Sequence, residues 1–335
     1  MTHAECFEKL DRTLAMLEEG HAEFIALARP RRVISPHGYH TSKYYPVSLY
    51  ANAAMTIVNA GDRTATVGYC CQRKLLDYQV PTYFVTEDLL NDLALTEPPK
   101  DLRLNDEFKW PMPAMTFMLP KDFARRYCGV EVLNLTVARF EPEERMKSCF
   151  TTDLGPAEEV RIPGPFPRFC FHSEVLDRTG LMSAYSQSQP MDGRTLGELL
   201  GEEMRYYGQF IDKMVGPQPG FFDAEKDGEV TDKLISIALK IMLVMSARPG
   251  LVTEGSCSRP ARQKKGKERE ALWSPSIIGA SYVSHIRAPQ GGTHESPRIH
   301  WRKGHMRNQA HGPGRADHKI IWIQPMLVGA SEASD

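Results

Sequence analysis

The sequence is short of every motif that would name its chemistry. Its seven cysteines (Cys6, Cys70, Cys71, Cys128, Cys149, Cys170 and Cys257) include no C-x-x-C pair. An odd, scattered set of this kind supports neither a disulfide framework nor a zinc ribbon. There is no phosphate loop, because Gly250 to Gly255 leads into Ser256 and Cys257 where a lysine is required. A dinucleotide-binding glycine fingerprint and a G-x-S-x-G nucleophile elbow are missing too, so nucleotide-dependent and serine-hydrolase chemistry lose support. His294-Glu295 has no second histidine at zinc-protease spacing: Arg298 stands there, and Pro297 would break the helix. The longest apolar run, Leu234 to Met245, is interrupted by Lys240 and is too short to span a bilayer. Glu5, Glu8 and Asp11 stand where a secretory signal needs a basic start and an apolar stretch. These absences predict a cytoplasmic protein with no membrane partner, no cofactor and no metal.

What is present is a charge asymmetry. The formal net charge of −1 is a near balance of 41 Lys+Arg against 42 Asp+Glu. Residues 259 to 319, however, hold 13 Lys+Arg against 4 Asp+Glu, or +9, which leaves 28 against 38, or −10, in the remainder. The basic region either folds back on its own acidic body or faces an external polyanion or acidic surface.

Periodicity predicts an α+β chain: a mixed sheet in the N-terminal part, a buried helical pair, and a small β-rich basic C-terminal unit. Residues 3 to 28 carry apolar side chains at three- and four-residue intervals and read as a first amphipathic helix ended by Pro30. Short β-branched and aromatic runs predict strands at Ala65 to Gln72, Thr82 to Val85, Ala114 to Leu119, Val130 to Phe140, Phe169 to Val175 and Leu181 to Ser186. Cys70, Cys71 and His172 fall in such runs and read as core. Thr86 followed by Glu87 and Asp88 caps a short helix through Leu95. Thr195 with Glu198 has the form of a capping box opening a helix to about Val215, and a helix from Val230 to Ala247, apolar on nearly every face, is closed by Arg248-Pro249-Gly250. The expected divisions are an α+β body over 1–250, a basic linker or loop over 251–271, a β-rich unit over 272–329 and a tail over 330–335. Within the last unit, Ile277 to Ile286 and Lys319 to Val328 read as strands and Gly312-Pro313-Gly314 as a turn.

Six of the eleven histidines and two of the four tryptophans lie between His285 and Trp322. If the stretch around Gly304 is one extended strand, side chains alternate, and His300 and Arg302 oppose Lys303, His305 and Arg307. A one-residue bulge at Gly304 would bring His300, Arg302, His305 and Arg307 onto a common face. That arrangement holds two imidazoles able to serve as base and acid and two guanidiniums able to clamp a phosphate, the functions that metal-free RNA cleavage needs. The same composition also describes a noncatalytic nucleic-acid surface, or core tryptophans beside a solvated charged face.

The residues Gly291-Gly292-Thr293-His294, His300 to Gln309, Gly312 to Arg315 and Trp322-Ile323-Gln324-Pro325 resemble the C-terminal segment of a group of bacterial, phage and mobile-element proteins. The resemblance covers about Leu272 to Gly329 and implies a recurring unit and a phage or mobile-element origin. It carries no activity with it.

The first expectation is therefore a nucleic-acid-binding protein, RNA favoured, in which Trp301, Arg302, Lys303, Arg307 and Arg315 hold the polymer, with His300 and His305 as acid and base in a metal-independent ribonuclease version. The alternatives are a phage or mobile-element interaction protein docking an acidic surface of a host protein, and a transferase such as an ADP-ribosylating enzyme.

Overall fold

The strand Thr82–Val85 is buried at all four positions, and Ala114–Met118 at all five. Continuous apolar burial of this kind belongs to strands covered on both faces. In the computed structural model, which describes residues 33–34, 40–41, 68, 70–71, 74–75, 78, 82–104, 108, 110–147, 151–152, 155–156, 159–161, 165–176, 182–198, 224–255, 276–284 and 300–328, the principal strands are twelve. They are β1 (Thr82–Val85), β2 (Thr96–Glu97), β3 (Ala114–Met118), β4 (Glu131–Phe140), β5 (Arg168–Leu176), β6 (Met182–Pro190), β7 (Val252–Thr253), β8 (Ser276–Ile278), β9 (His300–Arg302), β10 (Gly304–His311), β11 (Asp317–Ile323) and β12 (Met326–Val328). The helices used below are α1 (Glu87–Ala94), α2 (Lys121–Cys128) and α3 (Ala224–Ala247). The architecture is α+β, as the periodicities predict.

The chain divides into two compact units assembled from interleaved stretches: 1–85, 112–192 and 253–278 in the first, and 86–111, 193–252 and 279–335 in the second. The first is built on a seven-stranded mixed sheet of order β6-β5-β4-β3-β1-β8-β7. From β6 to β3 neighbours are antiparallel, and β3, β1 and β8 run parallel. Helix α2 lies beside β4. It opens after Pro120 and ends on Gly129, whose φ of 80° is the left-handed geometry that stops a helix. Glu131 then accepts from Lys121 at 2.8 Å and Arg125 at 2.9 Å.

The second unit is organised around α3, which packs on α1 and β11. Leu234, Ile237, Ala238, Ile241, Met242 and Val244 of α3 are all fully buried, so this helix lies in the middle of the unit, as an all-round apolar sequence requires. A 3₁₀ turn, Pro249–Leu251, closes it. The capping box also forms: Thr195 N–H donates to Glu198 Oε2 at 2.7 Å and Glu198 N–H to Thr195 Oγ1 at 3.3 Å. The first helix, the course of the 195–215 helix, and the 256–271 part of the linker lie outside the described residues.

Three elements differ from the sequence expectation. The described residues of 68–75 are helical rather than extended; Cys70, Cys71, Lys74 and Leu75, all buried, follow a helical four-residue spacing. The strand expected over Ile277 to Ile286 stops at Ile278, because Gly279 takes a φ of 91° and Tyr282 N–H turns back to Gly279 O at 3.0 Å. The strand expected over Lys319 to Val328 is interrupted at Gln324-Pro325, where proline removes a ladder donor. Thr86 precedes α1 as expected, but its hydroxyl makes no cap and donates to Gly279 O at 3.1 Å instead.

Lys240 is the exception on α3. It is 5 % exposed. Burial pushes its ammonium down from the ordinary 10.5 to about 8, partly offset by Glu97. Above pH 8 the folded lysine releases its proton while the unfolded one keeps it up to 10.5, so this residue makes stability rise with pH across that window. Lys240→Met should raise stability near pH 7 by about 1–3 kcal/mol and flatten that rise. Urea denaturation of both proteins at a series of pH values checks it; an unchanged pH slope would show that Lys240 is solvated.

Candidate functional site

The histidine-rich segment forms two strands rather than one. β9 pairs with β12, with His300 opposite Val328 and Arg302 opposite Met326, while β10 pairs with β11 on one side and with β2 on the other. The change of partner falls at Lys303. His300 and His305 therefore belong to different sheets, and the single bulged strand that would put His300, Arg302, His305 and Arg307 on one face does not form. Gly304 serves another purpose. A methyl group there would lie 2.5 Å from Thr96 Oγ1 and 2.6 Å from Pro325 Cδ, so glycine permits close approach of β10 to β2 and to the 325 turn. The side chains of His300 and Trp301 lie outside the described residues.

The β10–β11 hairpin has a buried base and a solvated end. Gly304, Met306 and Trp322 are buried, whereas residues 312 to 319 are all exposed. Cross-strand register assigns His305, Arg307, Gln309 and His311 of β10 to one face with Ile323, Ile321, Lys319 and Asp317 of β11. Arg302, Lys303, Arg307, Arg315 and Lys319 are all exposed, and residues 302 to 326 hold these five cations against one acid, Asp317. Lys303 is held loosely by Glu97 at 3.5 Å. At about 3.4 Å per residue, His305 and the turn after His311 lie roughly 20 Å apart. The charges form a strip along an arm and do not converge on one reacting atom.

The arm's tip is strained. Gly312 and Gly314 have φ of 77° and 64°, and Arg315 follows at 58°, a left-handed geometry that a side chain rarely adopts. Glycine would take this conformation without strain, whereas Arg315 holds it with a side chain that is exposed.

The base is locked by a buried polar network. Asp92, fully buried, accepts a hydrogen bond from the Tyr282 hydroxyl and another from Ser284 Oγ at 2.8 Å. Burial, and then this bond to Asp92, hold the Tyr282 phenol protonated far above its usual range. Tyr282 stacks on Trp322 at 5.5 Å, Arg248 lies over the same indole at 5.2 Å, and Trp322 Nε1–H donates to Thr96 Oγ1 at 3.2 Å. Trp322 is thus a core residue at 4 % exposure.

Of the residues expected to act together, the structure brings His305 and Arg307 onto one face. It places Arg302 and Lys303 near the base and Arg315 at the tip. Sequence reasoning passed over Lys319, Ile321 and Ile323 as site residues. Their alternation opposite Arg307, read through the Gly312-Pro313-Gly314 turn, was the available signal.

A family model described as AcrVA2-like, the Anti-CRISPR type V subtype A2 family, matches residues 83–330. The chain belongs to this family. The match runs from β1 to beyond β12 and includes the whole hairpin. It agrees with the resemblance to phage and mobile-element proteins. Neither a curated protein nor a solved structure matches the chain. Among the described residues, no helix is long and apolar enough to cross a membrane.

The geometry at Gly304 gives a direct test. Gly304→Ala should cost about 1–3 kcal/mol through overpacking against Thr96 and Pro325, read by urea denaturation. A loss under about 0.5 kcal/mol would show that the arm's base yields freely.

Proposed function

We propose that this family member acts in the cytoplasm of a bacterial cell as an inhibitor of a type V CRISPR system, docking the β10–β11 arm on an acidic surface of one of that system's proteins. The observation that carries the reading is the arm with its base: Arg307, Arg315 and Lys319 exposed on the arm and Arg302 and Lys303 exposed just before it, against the one acid Asp317, in a chain whose family is described as anti-CRISPR type V. Such a strip steers association with an acidic partner and excludes basic ones.

A protein partner is favoured over RNA by what shares the face with the charges. Ile321 and Ile323, half-exposed, flank Arg307, and arginine beside aliphatic side chains is a protein-interface composition. Trp322, buried under Tyr282, offers no face for base stacking. Acid–base catalysis asks for two titratable groups on one reacting atom, and His300 and His305, the pair expected from the sequence, fall on strands of different sheets, which does not favour such convergence.

Capture from cells carrying a type V system, with and without nuclease, tests the proposal. The wild-type chain should retain one protein component after nuclease treatment. The triple variant Arg307→Glu, Arg315→Glu, Lys319→Glu should associate about tenfold or more slowly and lose protection of phage in a plaque assay, with an unchanged circular dichroism spectrum. Arg315→Gly should relieve the strained turn and keep or raise stability while weakening capture. Capture that vanishes with nuclease favours a nucleic-acid partner and overturns the reading, as does full activity of the triple variant.

A further inference from the structure

The face of β5 that carries His172 and Glu174 is polar and sealed. Residues two apart on a strand share a face, and the register sets Thr136 of β4 and Ser186 of β6 on either side of His172, with Asn134 of β4 beside Glu174. His172 is 3 % exposed, and Glu174 and Asn134 are fully buried. One ring nitrogen of His172, Nδ1, lies 2.7 Å from Ser186 Oγ; the other, Nε2, lies 3.6 Å from Glu174 Oε1. The second carboxylate oxygen, Oε2, accepts from Asn134 Nδ2 at 2.6 Å. Three atoms of this one cluster are buried without a hydrogen-bond partner: His172 Nε2, Glu174 Oε1 and Asn134 Oδ1.

The cluster is closed by the helical residues that precede β1. A methyl group on Gly68 would lie 2.8 Å from His172 Cε1, so the backbone sits directly against the imidazole. Lys74, 3 % exposed, reaches both carboxylate oxygens of Glu144 at 2.8 Å and lies 4.4 Å over the Phe140 ring. The Gly68 backbone leaves His172 no room to turn out of the sheet face.

The fully buried Glu174 carboxylate accepts one hydrogen bond, from the Asn134 amide, and its other oxygen faces the His172 ring. A separation of 3.6 Å between Nε2 and Oε1 is too long for a hydrogen bond. It is close to the roughly 3.4 Å expected between two donor atoms that each lie about 2.0–2.1 Å from one tetrahedral cation. If Nδ1–H donates to Ser186 Oγ, the lone pair of Nε2 is left facing the carboxylate, the arrangement in which metal-bound imidazoles are held. Thiolates do not join. Cys170 Sγ is engaged elsewhere, donating to Ser188 Oγ at 3.2 Å. Among the described residues no group of three His, Cys, Asp or Glu assembles. The set is therefore one imidazole, one carboxylate and one amide oxygen.

We infer that His172 Nε2, Glu174 Oε1 and Asn134 Oδ1 bind a divalent first-row transition ion, with Ser186 as the positioning residue that fixes the imidazole. Mixed nitrogen and oxygen donors without sulfur suit Mn²⁺, Co²⁺ or Zn²⁺. The ion neutralises Glu174 and ties β4 to β5 beneath the Gly68 backbone. This site is independent of the hairpin and of the docking proposed for it.

The test uses the full-length chain, stripped with a chelator and titrated with CoCl₂, then with ZnCl₂. One Co²⁺ per chain should bind with visible absorption bands, be displaced by Zn²⁺, and raise the melting temperature. Ser186→Ala should weaken binding by about 10–100-fold, and Glu174→Gln should abolish it. X-ray absorption of the Zn²⁺-loaded wild-type chain should show a single imidazole among nitrogen and oxygen ligands, a measurement that stands even where Glu174→Gln fails to fold. Absence of Co²⁺ binding, undiminished binding by Ser186→Ala, or a spectrum with two or more imidazoles, which points to the C-terminal histidines, overturns the inference.

Discussion

A carboxylate with no access to water has to find its donors inside the fold, and Asp92 finds two in the Tyr282 and Ser284 hydroxyls. That requirement joins α1 to the turn after Gly279. Four residues on from Asp92, Thr96 Oγ1 donates to Asp92 O at 2.7 Å while receiving the Trp322 indole N–H. The end of α1, the 279–284 turn and the base of the hairpin are thereby held by one continuous set of hydrogen bonds, with Tyr282 stacked on Trp322 to exclude water from it. Removing any member leaves the others as unpaired buried groups, which costs more than the bond itself contributed.

The consequence for function is mechanical. Met306 and Trp322 are seated while the far end of the hairpin, residues 312 to 319, stays exposed. A hairpin of this type presents its cations in fixed order along the strands. The first unit organises its polar groups in the opposite way. Thr116 and Thr136 hydrogen-bond each other at 3.0 Å within the sheet, and His172, Glu174 and Asn134 follow on the same face, all sealed. The second unit adds an exposed charged hairpin to its buried network, whereas this polar face of the first unit is enclosed.

Much of the fold was legible because its local rules agree with its tertiary ones. Thr82–Val85, Ala114–Met118, Glu131–Phe140 and Arg168–Leu176 form close to where β-branched and aromatic runs predict them, and α3 ends at Arg248-Pro249 where its terminator stands. The failures occur where a long-range contact overrides a short-range pattern. Residues 68–75 carry an extended-looking composition, yet those of them that the structure describes are helical, with Cys70, Cys71, Lys74 and Leu75 buried at helical spacing. Gly304 reads as a bulge by propensity, yet its role is set by Thr96, more than two hundred positions earlier in the chain.

The candidate site divides along the same line. Residue types, charge and the hairpin turn are local properties, so the sequence alone determined that residues 302 to 319 would be basic, histidine-rich and folded back on themselves at Gly312-Pro313-Gly314. Which of those side chains act together is a matter of pairing. Only the tertiary structure decided that the strand breaks at Lys303, that Trp322 is core, and that Arg307 shares a face with Lys319, Ile321 and Ile323. The physical reason is that strand partners are chosen by distant backbone donors and acceptors, and a change of partner reassigns every side chain that follows it.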